Sequence, residues 1–326
     1  METIMNKIMR ITTWLFCLVL LSSCYEEYIK DFDNDAVYFT YQTDVRTVVV
    51  GEGMDFQVGT VLAGVHQNTR DRVVDFTLEP GLLTPEILTT MKGGLDYVKE
   101  SVSSVQELVL LPSDYYTLSN NSKMVIPPGD HKGVITVKID SAKFLADPKT
   151  LVSNYALPLK ILKADADSVL SGKDYTVVGL KYENMLFGNY WHGGVTVVKD
   201  QTGAVVETIR YFTEIPSPET TIMSLKTIAP FSLVANRVSN KAGSFHMTLE
   251  GDNILISPVE GAAIQVLPDG PSRYNRAKLL QERQIYLSYK YANGDGTTSY
   301  ATDTLTFRNR IRDGINEWQD EHPENY

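Results

Sequence analysis

The residues best suited to binding chemistry are aromatic side chains in the C-terminal half of the chain. Sugars bind proteins through CH faces that stack on flat rings, while amide and charged groups contact their hydroxyls. We therefore predict a sugar-binding set: Tyr190, Trp191, Tyr286, Tyr289, Tyr291, Asn293, Tyr300 and Trp318. The alternative is that Trp191 closes the end of a barrel and alternate tyrosines fill its core.

No catalytic motif accompanies these rings. The sequence contains neither G-x-S-x-G nor H-E-x-x-H. His192 and His246 are the histidines that lie in strand-like runs, and we interpret both as structural. The loop from Asn293 to Gly296 offers oxygen ligands but lacks the spacing of a calcium loop. We predict no catalytic residue, no metal site, no cofactor and no enzyme activity. A glycosidase stays open as a weaker alternative, because composition alone does not exclude a pair among 40 acidic residues.

Length and charge limit the function classes. The chain of 326 residues is 43% hydrophobic, which is enough for two domains with cores of their own. Its formal net charge of -10 argues against a nucleic-acid partner, because phosphate binding needs basic patches.

The first 23 residues have the pattern of a signal peptide. Lys7 and Arg10 precede a short apolar run, residues 11–21, and the sequence Leu-Ser-Ser-Cys that ends at Cys24 resembles a bacterial lipobox. We predict lipidation at Cys24, which leaves no disulfide, since Cys17 would be removed with the signal. Residues 24–33 are predicted to be an acidic tether, in which the run Tyr25-Glu26-Glu27-Tyr28 resembles the surface-export signal of Bacteroidetes lipoproteins. It implies an outer-membrane protein that is lipid-anchored and faces the cell exterior.

The next segment, residues 34–180, is predicted to be an immunoglobulin-like β-sandwich. Short runs that alternate apolar and polar residues recur with turn signals between them, as in residues 72–78 and 133–139. One short helix is predicted at residues 84–92, with Thr84 as the N-cap and Pro85 in the first turn.

The remaining segment, residues 181–326, is predicted to form a second β-domain. It opens on a hinge strand, residues 181–194, and its hairpins favour an antiparallel barrel of the lipocalin-like type or a jelly roll. Residues 284–292 alternate Ile285, Leu287 and Tyr289 with polar positions, as expected of a half-buried strand. A closing salt-bridge network is predicted among charged residues of the tail: Arg308, Arg310, Arg312, Asp313, Glu317, Asp320 and Glu321.

Three blocks carry a resemblance to a family. LPSDYYTLSN, MVIPPGDHKGVITVKID and YALPLKI are similar to the N-terminal domain of two-domain Bacteroidetes surface lipoproteins of polysaccharide-utilisation loci. Related domains precede the catalytic domain in some family 18 glycoside hydrolases, whose DxxDxDxE-type signature is absent here. The resemblance implies an immunoglobulin-like fold and a carbohydrate context, and it implies no catalytic residue.

These observations lead to one principal prediction of function. We expect an outer-membrane surface lipoprotein that binds glycan without catalysis, as part of a polysaccharide-utilisation system. Its expected partners are an oligo- or polysaccharide, the membrane through the lipid anchor, and an outer-membrane transporter complex. The alternative is a structural or accessory subunit of a surface complex that serves adhesion or transport.

Overall fold

The computed structural model of the protein describes residues 32–211 and 222–317. The predicted signal peptide, the lipidation site Cys24 and Trp318 lie outside these residues. Within the described ranges, no helix has the length and apolar character needed to span a membrane.

Two facing sheets form the first part of the protein. Its strands, in chain order, are β1 (Ala36–Tyr38), β2 (Thr43–Val49), β3 (Asp55–Ala63), β4 (Arg72–Leu78), β5 (Val109–Leu110), β6 (Tyr116–Leu118), β7 (Lys123–Ile126), β8 (Lys132–Ile139), β9 (Tyr155–Ala164), β10 (Ser168–Val169) and β11 (Tyr175–Glu183). One sheet has the order β10-β1-β3-β8-β6, and the other has the order β2-β11-β9-β4-β7 with β5 beside β9. The pairs β1–β10, β2–β11 and β5–β9 are parallel, and the other pairs are antiparallel.

Alternation along the strands builds the core of this sandwich. In β8, Ile135, Val137 and Ile139 are buried, whereas the alternate residues Val134 and Lys138 are exposed. Successive strand residues point to opposite faces, so each sheet turns one apolar row inward. The buried rows of both sheets pack together into a single hydrophobic cluster.

Three helices supplement the sandwich: α1 (Pro85–Lys92), α2 (Asp96–Val102) and α3 (Ser141–Ala146). The prediction for α1 is confirmed, because the Thr84 side chain accepts a hydrogen bond from the Ile87 amide and Pro85 occupies the first turn. Helices α2 and α3 were not predicted. The buried faces of α1 and α2 share a second cluster with Val45, Ala156 and Val177 of the sheet.

The second part is a closed antiparallel barrel. Its strands are β12 (Gly188–Lys199), β13 (Val205–Tyr211), β14 (Ile222–Ala229), β15 (Ser232–Val238), β16 (Lys241–Glu250), β17 (Asn253–Pro258), β18 (Val266–Pro268), β19 (Arg273–Tyr274), β20 (Gln284–Ala292), β21 (Thr298–Arg312) and β22 (Ile315–Glu317). The path runs from β12 through β14 to β21, and β21 pairs again with β12, which closes the sheet. The predicted all-β class, a sandwich followed by a barrel, is confirmed.

Side chains fill the barrel, so its interior is a core and not a lumen. Tyr190 and Phe307 meet edge to face with ring centres 5.6 Å apart, and Phe245 and Tyr289 lie 5.2 Å apart. All four side chains are buried.

The chain passes from the sandwich to the barrel at residues 184–187, between β11 and β12. The boundary predicted at residues 180 and 181 falls inside β11. Asn184 stabilises this connection. Its side-chain amide donates to the Pro230 carbonyl at 2.8 Å, and its side-chain oxygen accepts from the Leu186 amide at 2.9 Å.

Candidate functional site

The barrel wall separates the predicted sugar-binding residues into an inner and an outer group. Tyr190, Tyr289 and Tyr291 point inward and are at most 2% exposed. The Tyr190 hydroxyl donates to the Leu186 carbonyl at 3.1 Å, inside the core. These three tyrosines are therefore packing residues in this structure and offer no ring face to an external ligand.

Three of the predicted rings share the outer face of neighbouring strands. Trp191 on β12 and Gln284 on β20 both lie opposite Thr306 of β21, and Tyr286 lies opposite Thr304 in the next row of the same face. β21 runs between Trp191 and Tyr286, which places them two strand spacings, about 10 Å, apart across the sheet. Tyr300 lies further along β21, and all three side chains are partly exposed. We call Trp191, Tyr286 and Tyr300 the aromatic face.

Cationic side chains accompany each ring of the aromatic face. The Arg308 guanidinium lies 5.0 Å from the Trp191 ring centre, and that of Arg273 lies 5.7 Å from the Tyr286 ring centre. The Tyr300 ring has Lys199 at 4.7 Å and Lys290 at 5.9 Å. Such contacts hold a ring in place and set hydrogen-bond donors over its face. The face therefore combines apolar ring surface with donors, as sugar recognition requires.

Asn293 has a local structural role in the turn between β20 and β21. Its side-chain amide donates to the hydroxyls of Thr297 and Ser299, both at 2.9 Å. The side chain is thus occupied with its own turn and does not join the aromatic face.

The structure also reveals a buried polar cluster around Asp303 that the sequence did not predict. Asp303 is fully buried, and its carboxylate accepts a hydrogen bond from the Tyr289 hydroxyl at 2.6 Å and another from the Tyr211 hydroxyl. The Nε2 atom of His192 lies 2.8 Å from Asp303 Oδ2, the carboxylate oxygen that accepts from Tyr289. Neither ring nitrogen of His192 makes a hydrogen bond within the described part of the chain.

Two hydroxyls extend this cluster. Thr196 Oγ1 lies 2.5 Å from Ser239 Oγ and 3.2 Å from the Tyr211 hydroxyl, and the Ser239 amide donates to the Tyr289 hydroxyl at 2.6 Å. Burial, and then the nearby charge of Asp303, raise the pKa of both tyrosines, so both hydroxyls remain donors at neutral pH. The interpretation of His192 as structural agrees with its full burial.

Gly194 makes room for this cluster. It pairs with Asp303 of β21 on one side and with Tyr211 of β13 on the other. A Cβ atom at residue 194 would lie 2.7 Å from a carboxylate oxygen of Asp303 and would collide with the Thr302 carbonyl. The absence of a side chain here is therefore what lets the Asp303 carboxylate reach the Tyr211 hydroxyl.

The predicted tail network is present in part, and it extends into the sandwich. Arg310 and Arg312 both pair with Glu317, at 2.6 and 2.5 Å. Arg308 instead stacks over Trp191. Asp313 makes no ion pair with any described residue, and Asp320 and Glu321 lie outside the described ranges.

Arg310 has a second acidic partner, Glu52, which sequence reasoning missed. The two guanidinium nitrogens of Arg310 contact the carboxylate of Glu52, in the turn between β2 and β3, and Arg283 contacts the same carboxylate. This triad joins the sandwich to the barrel, and all three side chains are at most 3% exposed.

No metal centre is present in the described ranges, where no group of three or more His, Cys, Asp or Glu side chains is placed to hold an ion.

Comparisons with known proteins agree with this architecture. A family model whose description reads "-like, N-terminal domain" matches residues 32–168, nearly the whole sandwich. No curated protein matches the chain.

Three solved structures from Bacteroides ovatus are similar to the chain. One, a structural genomics protein of unknown function, has a TM-score of 0.63 at 17% identity, and the match covers 89% of this chain and 99% of the other. A second structural genomics protein of unknown function has a TM-score of 0.44 at 13% identity, and the match covers 88% of this chain and 100% of the other. A third, a protein of unknown function, has a TM-score of 0.40 at 13% identity, covering 89% and 96%. The first of these likenesses shows a shared fold.

Proposed function

We propose that the protein is a surface lipoprotein of the outer membrane that binds glycan without catalysis, as part of a polysaccharide-utilisation system. The observation that carries the proposal is the aromatic face, where Trp191, Tyr286 and Tyr300 share one outer surface of three paired strands.

The geometry of the aromatic face suits a chain-like ligand. Its rings are spread along and across β21 and do not gather in one pocket, so they would contact successive units of an extended glycan. Arg308, Arg273, Lys199 and Lys290 would donate hydrogen bonds to hydroxyls beside the rings. A closed barrel is a rigid platform, which lowers the entropy cost of holding these side chains in place.

The N-terminal sequence supports the proposed location. The predicted signal peptide, Cys24 and the acidic residues after it would supply an anchor and an export signal. The similarity to a Bacteroides ovatus structure supports a Bacteroidetes context for that anchor.

A glycan array tests the proposal. We would screen the soluble form that begins at Tyr25 together with a Trp191→Ala variant. As a matched control we would use Phe231→Ala, which removes another exposed ring, 56% accessible, at the turn between β14 and β15. We expect binding to one class of glycan that Trp191→Ala abolishes and Phe231→Ala retains. Absence of binding to every glycan would contradict the proposal.

A specific feature favours the second candidate, an accessory subunit of a surface complex. β13 pairs only with β12 among the described strands, and Val205 and Val206 on its two faces are 60% and 61% exposed. An open edge with apolar side chains is a template for strand addition by another chain. Capture of a transporter component from outer membranes, lost in a Val206→Lys variant, would support this candidate, and equal capture by both forms would contradict it.

A further inference from the structure

A cleft at the junction of the sandwich and the barrel has the chemistry of a second ligand site. It has a volume of about 610 Å³, within the range of small-molecule sites, and such sites occur preferentially at domain interfaces. The sandwich contributes Tyr41, Arg46 and Tyr97, and the barrel contributes Arg312, Asp313 and Glu317.

Two ion pairs line the cleft, one from each side. Arg46 Nη1 lies 2.8 Å from Asp44 Oδ2, and Arg312 Nη2 lies 2.5 Å from Glu317 Oε1. Both arginine side chains remain about one-third exposed, at 32% and 35%. The pairs therefore fix guanidinium groups in place and leave part of each accessible. Fixed donors beside acceptors suit hydroxyl groups, and they cost little ordering when a ligand arrives.

Aromatic rings, together with Leu95 and Ile315, supply the apolar part of the cleft. Tyr41 is 51% exposed, and Phe56 is partly exposed. Tyr97 lies deeper, where its hydroxyl donates to Asp44 at 2.7 Å. Tyr41 is thus the ring most open to stacking by a ligand.

A turn of the barrel lines the cleft where it packs against the sandwich. Asp313 and Gly314 have φ values of 51° and 80°, and they join β21 to β22. A Cβ atom at Gly314 would lie 2.8 Å from the Tyr97 ring, so this close approach requires glycine. Asp313 Oδ2 accepts a hydrogen bond from the Thr47 amide at 3.2 Å, while Oδ1 has no hydrogen-bond partner within residues 32–211 and 222–317.

The balance of charge narrows the class of ligand. Four carboxylates line the cleft, those of Asp44, Asp55, Asp313 and Glu317, against two arginines. Both arginines are already paired, so an acidic ligand would meet an excess of negative charge. A neutral ligand rich in hydroxyls meets no such barrier.

From this geometry we propose that the junction cleft binds a short uncharged saccharide, which stacks on Tyr41 and hydrogen-bonds to Arg46 and Arg312. The inference rests on the proposed glycan-binding function and adds a second site that excludes acidic sugars. It is independent of Trp191, which lies on the outer face of the barrel strands β12, β21 and β20.

Calorimetry on the full chain, purified in detergent, tests this assignment. The probes are neutral tetrasaccharides of glucose, mannose, xylose and galactose, with tetragalacturonate as the acidic counterpart. We expect one neutral probe to bind and tetragalacturonate not to bind. Tyr41→Ala should weaken that binding by about tenfold, the scale of one lost ring contact. Phe231→Ala should leave it unchanged.

The variants separate this inference from the proposed function. A neutral probe that loses affinity in Trp191→Ala but keeps it in Tyr41→Ala would overturn the cleft assignment and retain the aromatic face. Equal binding of tetragalacturonate and a neutral probe would overturn the proposed selectivity. If no probe bound and the glycan array also showed no binding, both the cleft assignment and the proposed glycan-binding function would be overturned.

Discussion

Glu52 and Arg310 form a bidentate ion pair that joins the sandwich to the barrel. Arg310 Nη1 lies 2.9 Å from Glu52 Oε1, and Nη2 lies 2.5 Å from Oε2. Arg283 Nη1 reaches the same carboxylate at 2.7 Å. A buried charge is tolerated only with partners, so this geometry makes each half of the protein depend on the other.

Replacing Glu52 by Gln should destabilise the protein strongly. The variant removes the negative charge that the buried guanidinium groups of Arg283 and Arg310 share, while Arg310 keeps its ion pair with Glu317. We expect a loss of about 3 kcal/mol in the free energy of unfolding, the lower end for a broken buried ion pair. Urea denaturation measures it. Asp114→Asn, which removes the exposed pair with Lys143, should leave the unfolding curve unchanged. Equal midpoints for Glu52→Gln and the unmodified protein would refute the structural role of the triad.

The same carboxylate should make stability fall in acid. Burial alone raises the pKa of Glu52, but hydrogen bonds and the charges of Arg310 and Arg283 outweigh it and lower the pKa below 4.5. Its contribution is therefore complete above the unfolded pKa and is lost as pH falls through the lowered folded pKa. We expect the free energy of unfolding, measured by denaturation between about pH 6 and about pH 3, to fall more steeply in the unmodified protein than in Glu52→Gln. The same pH dependence in both proteins would contradict this expectation.

The contribution of Asp313 to stability should have the opposite pH dependence. Burial raises its pKa above 3.8, although the Thr47 hydrogen bond and the charge of Arg46 oppose the shift. A raised pKa favours the folded state at low pH, and this contribution is lost as pH rises through the folded pKa. Asp313→Asn should therefore stabilise the protein at neutral pH, with an advantage that disappears below about pH 3.8. Asparagine also tolerates the positive φ at this position. A less stable variant at neutral pH would show that the ionised carboxylate is needed there.

Gly194 should not accept a side chain. A methyl group there would displace the Asp303 carboxylate from Tyr211, and we expect Gly194→Ala to cost about 1–3 kcal/mol, as for other overpacked core positions. Thermal unfolding compares it with Gly294→Ala, whose added methyl group would meet no atom within 4 Å. Gly294→Ala should have little effect. If both variants had the same melting temperature, the steric role of Gly194 would be excluded.

The sequence predicted local patterns well and long-range contacts poorly. Alternation in residues 284–292 correctly placed Ile285, Leu287 and Tyr289 on one face and Tyr286 on the other. The same rule, applied to the sugar-binding set, would already have separated Tyr289 and Tyr291 from Tyr286. The set was instead assembled from ring type and proximity in sequence, which do not distinguish the two sides of a barrel wall.

Contacts between distant segments had no such signal. Glu52 and Arg310 are separated by 258 positions, and nothing in the turn around Glu52 points to a partner in the last barrel strands. The alternation along β21 does indicate that Asp303 is buried, because it occupies an inward position between Ala301 and Leu305. A buried acid needs hydrogen-bond partners. Its partners Tyr211 and His192 lie on other strands, and only the closed register brings them together.

The central claim is that the aromatic face binds glycan. The most direct measurement is isothermal titration calorimetry with the glycan identified on the array. It compares the unmodified protein, Trp191→Ala and Phe231→Ala, once their melting temperatures are shown to be the same. We predict that Trp191→Ala loses at least about tenfold in affinity, the scale of one lost stacking contact, while Phe231→Ala binds as the unmodified protein does. Unchanged affinity in Trp191→Ala would contradict the account and move the binding site away from the outer surface of β12, β21 and β20.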